Sequence, residues 1–141
     1  MRIILIILAV VGIIASSLAL REHYRTYGDS PCSINDKWDC GIVNHSPYAI
    51  FLGIPVADIG IAGYLLMAVL AFRRAYRWLL VALLMALGFS LFLAHIEAHI
   101  LGVWCIYCVA SLAVVSLMTT LVGATVIVQS LRREPNNARA A

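Results

Sequence analysis

Residues 78–131 read WLLVALLMALGFSLFLAHIEAHILGVWCIYCVASLAVVSLMTTLVGATVIVQSL, which is two long apolar runs separated by a very short turn. The first run, 78–101, carries one carboxylate, Glu97, and two histidines near its end, and the second run, 104–131, carries no charged residue. Apolar stretches of about 18 residues or more are typical of membrane-spanning helices. Because so few residues separate the two runs, we expect two antiparallel neighbouring helices.

Two further apolar runs precede this pair. Residues 3–20 carry no charge, and residues 54–72 carry one, Asp58. With 63% hydrophobic and only 12% charged residues in a chain of 141, the composition excludes an ordinary soluble domain. We therefore predict a single domain over 1–141, an all-α antiparallel bundle of four transmembrane helices. The predicted helices cover about 3–26, 54–72, 78–101 and 104–131, with an exported loop over about 27–53.

The first run has a second interpretation as a cleaved signal peptide, because Ser17-Leu18-Ala19 is a tolerable cleavage pattern. The run is longer than an ordinary signal core, however, and its basic head is Arg2 alone. A retained first helix is therefore favoured, and four helices would place both termini on one side of the membrane.

The basic residues predict which side that is. On the side of the termini the four-helix topology places Arg2, Arg73, Arg74, Arg77, Arg132, Arg133 and Arg139. The opposite side would hold only Arg21, Arg25 and Lys37. Because positive charge concentrates in cytoplasmic loops, both termini should be cytoplasmic and all four cysteines should lie on the exported side, where disulfides persist. The formal net charge of +3 reflects this asymmetry, and no basic patch for nucleic acid is evident.

The four cysteines are the residues most suggestive of chemistry. Cys105-Ile106-Tyr107-Cys108 opens the last apolar run, while Cys32 and Cys40 lie in the polar loop. A CxxC pair can cycle between dithiol and disulfide, often through a thiolate of lowered pKa. A structural disulfide or two idle cysteines, and a zinc site made of all four, are alternatives, although the 32–40 spacing is wide for zinc. Covalent haem is excluded because Val109, not histidine, follows the motif.

The loop that carries the first cysteine pair offers one more candidate. We expect a short helix along the membrane surface from Ser46-Pro47 to Leu52, with Ser46 as its N-cap.

Several stretches resemble the vitamin K epoxide reductase family. They are the spacing of Cys32, Cys40, Ser46 and the late CxxC, residues 39–49 (DCGIVNHSPYA), and residues 52–57 (LGIPVA) followed by Gly60 and Gly63-Tyr64. The resemblance is to bacterial members and covers roughly residues 5–128. It implies a four-helix bundle around a quinone, in the inner membrane of a bacterium.

The resemblance also implies roles for individual residues. Cys105 and Cys108 would be the active-site pair, with Cys108 facing the quinone, and Cys32 and Cys40 would be a shuttle that exchanges electrons with Cys105. Ser46 would be a hydroxyl near the reactive groups. The resting disulfides would be Cys32–Cys40 and Cys105–Cys108. The implied activity is that of a thiol:quinone oxidoreductase, which promotes disulfide formation.

The implied partners are a membrane quinone (ubiquinone, menaquinone or phylloquinone) and a thioredoxin-like or DsbA-like periplasmic protein. Many bacterial members carry a fused thioredoxin-like domain, which is absent from these residues, so the partner would be a separate polypeptide. The chain also departs from the animal enzymes, since Leu112 stands where they have a tyrosine and no asparagine lies near Val56 or Ala57. The quinone contacts of the animal enzymes therefore cannot be assigned to residues of this chain.

Two other functions stay open at this point. One is vitamin K quinone or epoxide reduction proper, and the other is a non-enzymatic tetraspan protein that binds metal through Cys and His. An unrelated quinone-linked thiol oxidase with four helices is disfavoured because its CxxC lies in the first exported loop.

The ionisable residues within the apolar runs are further candidates, because such residues are costly in lipid and often functional. Asp58 and Glu97 are predicted to support the quinone, although Asp58 would also suit the positive end of its helix. His95 and His99 share a helix face at a spacing that a metal could use, but no third ligand is evident. A histidine or Glu97 near the quinone could relay protons.

Overall fold

The computed structural model describes residues 1–26 and 30–140, and for residues 133–140 it describes the backbone alone. The main helices in this part of the chain are α1 (Arg2–His23), α2 (Cys40–His45), α3 (Val56–Phe72), α4 (Tyr76–Ile96) and α5 (Ile106–Ala140). A 3₁₀ turn, Pro47–Ala49, follows α2, and a π-helical turn, Glu97–Leu101, continues α4. The strands β1 (Ile50–Phe51) and β2 (Ile54–Pro55) form a small antiparallel hairpin.

Three of the described helices are long and apolar enough to cross a membrane. They are α1, α4 together with its π-helical turn, and residues 106–132 of α5. The apolar helix α3 is shorter, at 17 residues. This architecture is that of a multi-pass helical membrane protein, and it bears out the predicted all-α bundle at that level.

The bundle is held by close helix contacts and an apolar centre. Helix α1 packs against α3 and α5, and α5 also packs against α4. A Cβ atom at Gly12 would overlap the ring of Tyr64, and one at Gly60 would lie 2.7 Å from the Ser16 hydroxyl oxygen. Small residues at such points let helix backbones approach in lipid. The buried core consists of Leu5, Ala9, Tyr64, Met67, Ala71, Leu79, Leu83, Val114, Val115, Met118 and Val122.

The outer surface of the bundle is apolar as well. Ile3 on α1 is 68% exposed and Met85 on α4 is 73% exposed. Such a surface is unfavourable in water and suits a lipid environment, where the helices satisfy their own backbone hydrogen bonds.

The predicted surface helix from Ser46 to Leu52 is wrong. Leu52 and Gly53 have φ values of 53° and 81°, and two successive residues with positive φ make the tight turn of a hairpin. Phe51 pairs with Ile54 across this turn. A helix cannot continue through that backbone, so only the 3₁₀ turn and the hairpin lie between α2 and α3.

Helix α5 begins two residues later than predicted. The backbone of Trp104 forms a parallel bridge to the cysteine loop, in which Trp104 N–H donates to the Lys37 carbonyl at 2.7 Å and Asp39 N–H donates to the Trp104 carbonyl at 3.1 Å. These bonds hold residue 104 in an extended conformation. Helix α1 likewise ends at His23 rather than at residue 26.

Candidate functional site

The loop cysteines are joined to each other. Cys32 and Cys40 form a disulfide with a Cα–Cα distance of 5.5 Å. Cys40 is the first residue of α2, and the Asp39 side chain caps that helix by accepting from Ile42 N–H at 3.1 Å. Both sulfurs are covered, since Cys32 is 4% exposed and Cys40 is fully buried. The expected pairing of these two residues is confirmed.

The inner cysteines are free thiols. Cys105 is buried immediately before α5, and Cys108 lies one turn along the helix. A hydrogen bond with the Cys108 thiol lowers the pKa of Cys105, although burial and the negative charge of Glu97 oppose this shift. The structure therefore contains one disulfide and one dithiol, and the expected Cys105–Cys108 bond is not present in it.

The two cysteine pairs meet in one buried cluster. Cys32, Cys40 and Cys105 pack there with two valines, and Cys108 lies against its edge. The side-chain amide of Asn44 donates to the Cys40 carbonyl at 2.8 Å and approaches the Cys105 sulfur at 3.6 Å. Asn44 was not identified from the sequence, because nothing in the local pattern of α2 indicates a contact with a residue so far along the chain.

Glu97 lies beside the inner pair. Its side chain is 3% exposed, and its Oε2 atom accepts a hydrogen bond from Cys105 N–H at 3.1 Å. Its carboxylate also interacts electrostatically with the Cys108 thiol. Glu97 is the first residue of the π-helical turn, and such turns are frequent at functional sites. Glu97 is thus positioned beside the inner cysteines, while its predicted role in supporting the quinone stays a prediction.

A cavity of about 440 Å³ lies beside Cys108. Most of its lining is apolar, and Cys108, Glu97, Ser46 and Asn44 contribute to its wall. Tyr64 and Ser111 also contribute polar groups to the lining, and their hydroxyl oxygens lie 2.8 Å apart.

Exposed side chains of both α3 and α4 line the cavity. Leu66 on α3 and Met85 on α4 are in the lining and are 53% and 73% exposed. This exposed part of the lining is the seam between α3 and α4.

Ser46 and Asp58 have different positions relative to this cavity. Ser46 is buried in the wall, but its hydroxyl donates back to the Val43 carbonyl at 2.7 Å and does not cap the following turn. Ser46 thus stands at the predicted N-cap position of the turn, but its side chain bonds back to α2 and does not cap the turn. Asp58 lies in the first turn of α3, half-buried, and is not part of the cavity lining.

His95 and His99 are not among the residues that line the cavity. The rings of His95 and His99 stack at 4.3 Å and both side chains are exposed. Among the described residues, no group of three or more His, Cys, Asp or Glu side chains is arranged to hold a metal ion.

Comparison with known proteins agrees with this geometry. The sequence model of the vitamin K epoxide reductase family matches residues 3–123. No curated protein matches the chain. Since the match covers most of the chain, this protein belongs to the vitamin K epoxide reductase family.

Proposed function

We propose that this family member is a membrane thiol:quinone oxidoreductase that generates disulfides. One observation carries the proposal. Cys108 packs against the buried cluster that contains Cys105 on one side and lines the apolar cavity on the other. A thiol in that position can take electrons from a buried cysteine cluster and pass them to a molecule dissolved in lipid.

The proposed path has three steps of two electrons each. A reduced thioredoxin-like or DsbA-like protein outside the membrane reduces the Cys32–Cys40 disulfide and becomes oxidised itself. The Cys40 thiolate then attacks an oxidised Cys105–Cys108 bond at Cys105, and Cys32 resolves the mixed disulfide, which leaves the inner pair as a dithiol. Finally the inner pair closes to a disulfide while the quinone takes up two electrons and two protons.

The mostly apolar lining of the cavity supports a quinone as its ligand. A quinone headgroup is a flat, largely apolar ring with two carbonyl acceptors, and sites for such ligands are mostly apolar with a few placed polar groups. The polar groups here lie at the cysteine end and at the Tyr64–Ser111 pair. The seam between α3 and α4 would let an isoprenoid tail extend into the bilayer.

The partner's access to the loop pair calls for movement of that loop. Cys32 and Cys40 are both buried, and the Trp38–Trp104 bridge holds the loop over Cys105. Docking of the external protein would have to separate these segments before its thiol could attack Cys32.

We further propose that the chain crosses a bacterial inner membrane four times, with both termini cytoplasmic and the segment between α1 and α3 exported. Helix α3 would be the fourth span, lengthened by the hairpin before it. The arginine-rich turn after α3 supports this orientation. In intact cells, a membrane-impermeant maleimide should label Lys37→Cys and spare Arg74→Cys, and the reverse pattern would refute the orientation.

The proposed quinone reduction can be tested with purified protein. The assay follows quinone absorbance with either dithiothreitol or a reduced thioredoxin-like protein as donor, and ubiquinone, menaquinone and phylloquinone as acceptors. Cys108→Ser should abolish quinone reduction with both donors. Cys32→Ser should block only the protein donor, because dithiothreitol is small enough to reduce the inner pair directly. A near wild-type rate in Cys108→Ser would refute the mechanism.

A further inference from the structure

The carboxylate of Glu97 occupies an unusual place for a charged group. It is 3% exposed and lies in a helix long enough to span the membrane. Burying a carboxylate without compensation is costly. Its Oε2 atom accepts from Cys105 N–H at 3.1 Å, and its carboxylate interacts electrostatically with the Cys108 thiol. Glu97 is therefore fixed beside Cys105 and shares the cavity wall with Cys108.

The reaction in the cavity needs such an acceptor. A thiol reacts as a thiolate, so the Cys108 proton must leave before or as its sulfur gives up electrons. A thiolate on Cys108 and a carboxylate on Glu97 would be two negative charges in contact within a low-dielectric site, which is strongly disfavoured. The pair therefore favours sharing one proton, so that ionising the thiol protonates the carboxylate.

We propose that Glu97 is the base that accepts the Cys108 proton and then delivers it to the quinone oxygen. This inference rests on the proposed function. The balance is complete: the Cys105 and Cys108 thiols lose two electrons and two protons as their S–S bond forms, and the quinone gains two of each to become the quinol. Glu97 carries the proton from Cys108, is a carboxylic acid only while it holds that proton, and returns to the carboxylate.

No other group lining the cavity combines these features. Glu97 is the one carboxylate in the described lining. The other titratable groups there are His23, Tyr48, Tyr64, Tyr107 and Cys108. The Tyr64 hydroxyl is engaged with Ser111, and His23 Nδ1 lies 2.6 Å from the Asn44 carbonyl oxygen. Among the titratable groups of the described lining, Glu97 is the one that accepts from the backbone of Cys105 and also interacts with the Cys108 thiol.

Glu97→Gln is the variant that tests the proposal. Glutamine has nearly the same shape and keeps an oxygen for Cys105 N–H, but it cannot take up a proton at neutral pH. The matched control is Glu22→Gln, which replaces another buried carboxylate, 2% exposed, outside the cavity lining. Protein reduced beforehand and freed of reductant is mixed with quinone in a stopped-flow instrument, so that only the step inside the cavity is measured.

In Glu97→Gln the rate should fall about 100-fold or more, which is the usual contribution of general acid–base catalysis. Its rate should also climb steadily with pH, because hydroxide must now remove the thiol proton, whereas the wild-type rate should level off. Glu22→Gln should keep both the rate and the pH profile of the wild type.

Each other outcome has a definite meaning. If the reduced wild-type protein does not reduce quinone, the proposed function fails, and the inference with it. If the wild type is active and Glu97→Gln matches it, the role of Glu97 fails alone. A slow Glu97→Gln protein whose pH profile parallels that of the wild type would also overturn the proposal, since Glu97 would then only support the fold of the site.

Discussion

The side-chain amide of Asn44 lies 3.6 Å from the sulfur of Cys105, although 61 residues separate the two in the sequence. The same amide donates to the Cys40 carbonyl at 2.8 Å. One buried side chain thus contacts both cysteine pairs and docks α2 against the start of α5. In the proposed relay, this contact would hold Cys40 close to its exchange partner.

Asn44→Ala should weaken both the fold of this region and the exchange between the two pairs. The Cys40 carbonyl would lose its side-chain donor in a buried site, at a cost of about 1–3 kcal/mol. A loss near the lower limit corresponds to a roughly fivefold slower exchange if it falls on the reactive geometry. Quinone reduction driven by the protein donor should therefore slow, while reduction driven by dithiothreitol should change little.

Asn35→Ala is the matched control for that experiment. Its side chain accepts only from nearby backbone groups in an exposed turn, Lys37 N–H at 3.0 Å and Trp38 N–H at 3.1 Å. Equal slowing with both donors in Asn44→Ala, or equal effects of the two substitutions, would contradict a specific role for Asn44.

The reactivity of Cys105 should depend on the residue at position 108. Because the hydrogen bond with Cys108 is the main cause that lowers the pKa of Cys105, its loss should raise that pKa. In a Cys32→Ser/Cys40→Ser background, adding Cys108→Ala should move the pH profile of iodoacetamide alkylation at Cys105 to higher pH. Adding Cys108→Ser, which keeps a hydroxyl donor, should move it less. Identical profiles for the two variants would show that the hydrogen bond is unimportant.

Much of this arrangement follows from local sequence features. The length and charge-free character of the apolar runs predict α1, α4 and α5 because membrane spanning demands both. The spacing of Cys32, Cys40 and the CxxC motif indicates the family, and the loop disulfide is as expected. Glu97 was identified because a carboxylate within an apolar run is costly.

The remaining features depend on backbone geometry or on contacts between distant segments. The hairpin requires positive φ at Leu52, which a residue of that type rarely adopts. The delayed start of α5 comes from pairing with Lys37 and Asp39, and no local propensity at Trp104 indicates it. The contacts of Asn44 likewise exist only after α2 has docked on α5.

The burial of Cys40 and Cys105 in one cluster predicts which mixed disulfide can be trapped. In Cys108→Ala, the Cys105 thiolate can attack Cys40 and release Cys32, and no thiol at position 108 remains to compete for Cys105. Cys32→Ala should trap the same bond from the other direction, when the Cys40 thiol attacks an oxidised inner pair. Peptide mass mapping should find Cys40 linked to Cys105 in both variants. Cys40→Ala should prevent the cross-link, and a Cys32–Cys108 link would refute the assignment.

A substitution at Gly63 should show whether the quinone occupies the cavity next to α3. This glycine lines the cavity wall on α3, and a Cβ atom added there would have no neighbouring atom within 4 Å. A valine side chain should therefore fit without disturbing the helices while occupying space that the quinone needs. Crowding of this kind costs about 1–3 kcal/mol, so Gly63→Val should raise the KM for quinone roughly fivefold or more.

Gly88→Val separates this steric effect from the general effect of valine in a helix. Gly88 also has open space at its Cβ position, but it lies on the exposed face of α4 and outside the cavity lining. Its KM for quinone should stay at the wild-type value, and the rate of loop-disulfide reduction by a small thiol should be the same in both variants because neither residue contacts the cysteines. If Gly63→Val binds quinone as well as Gly88→Val does, the quinone does not occupy the part of the cavity next to α3, and the electron acceptor must meet Cys108 by another route.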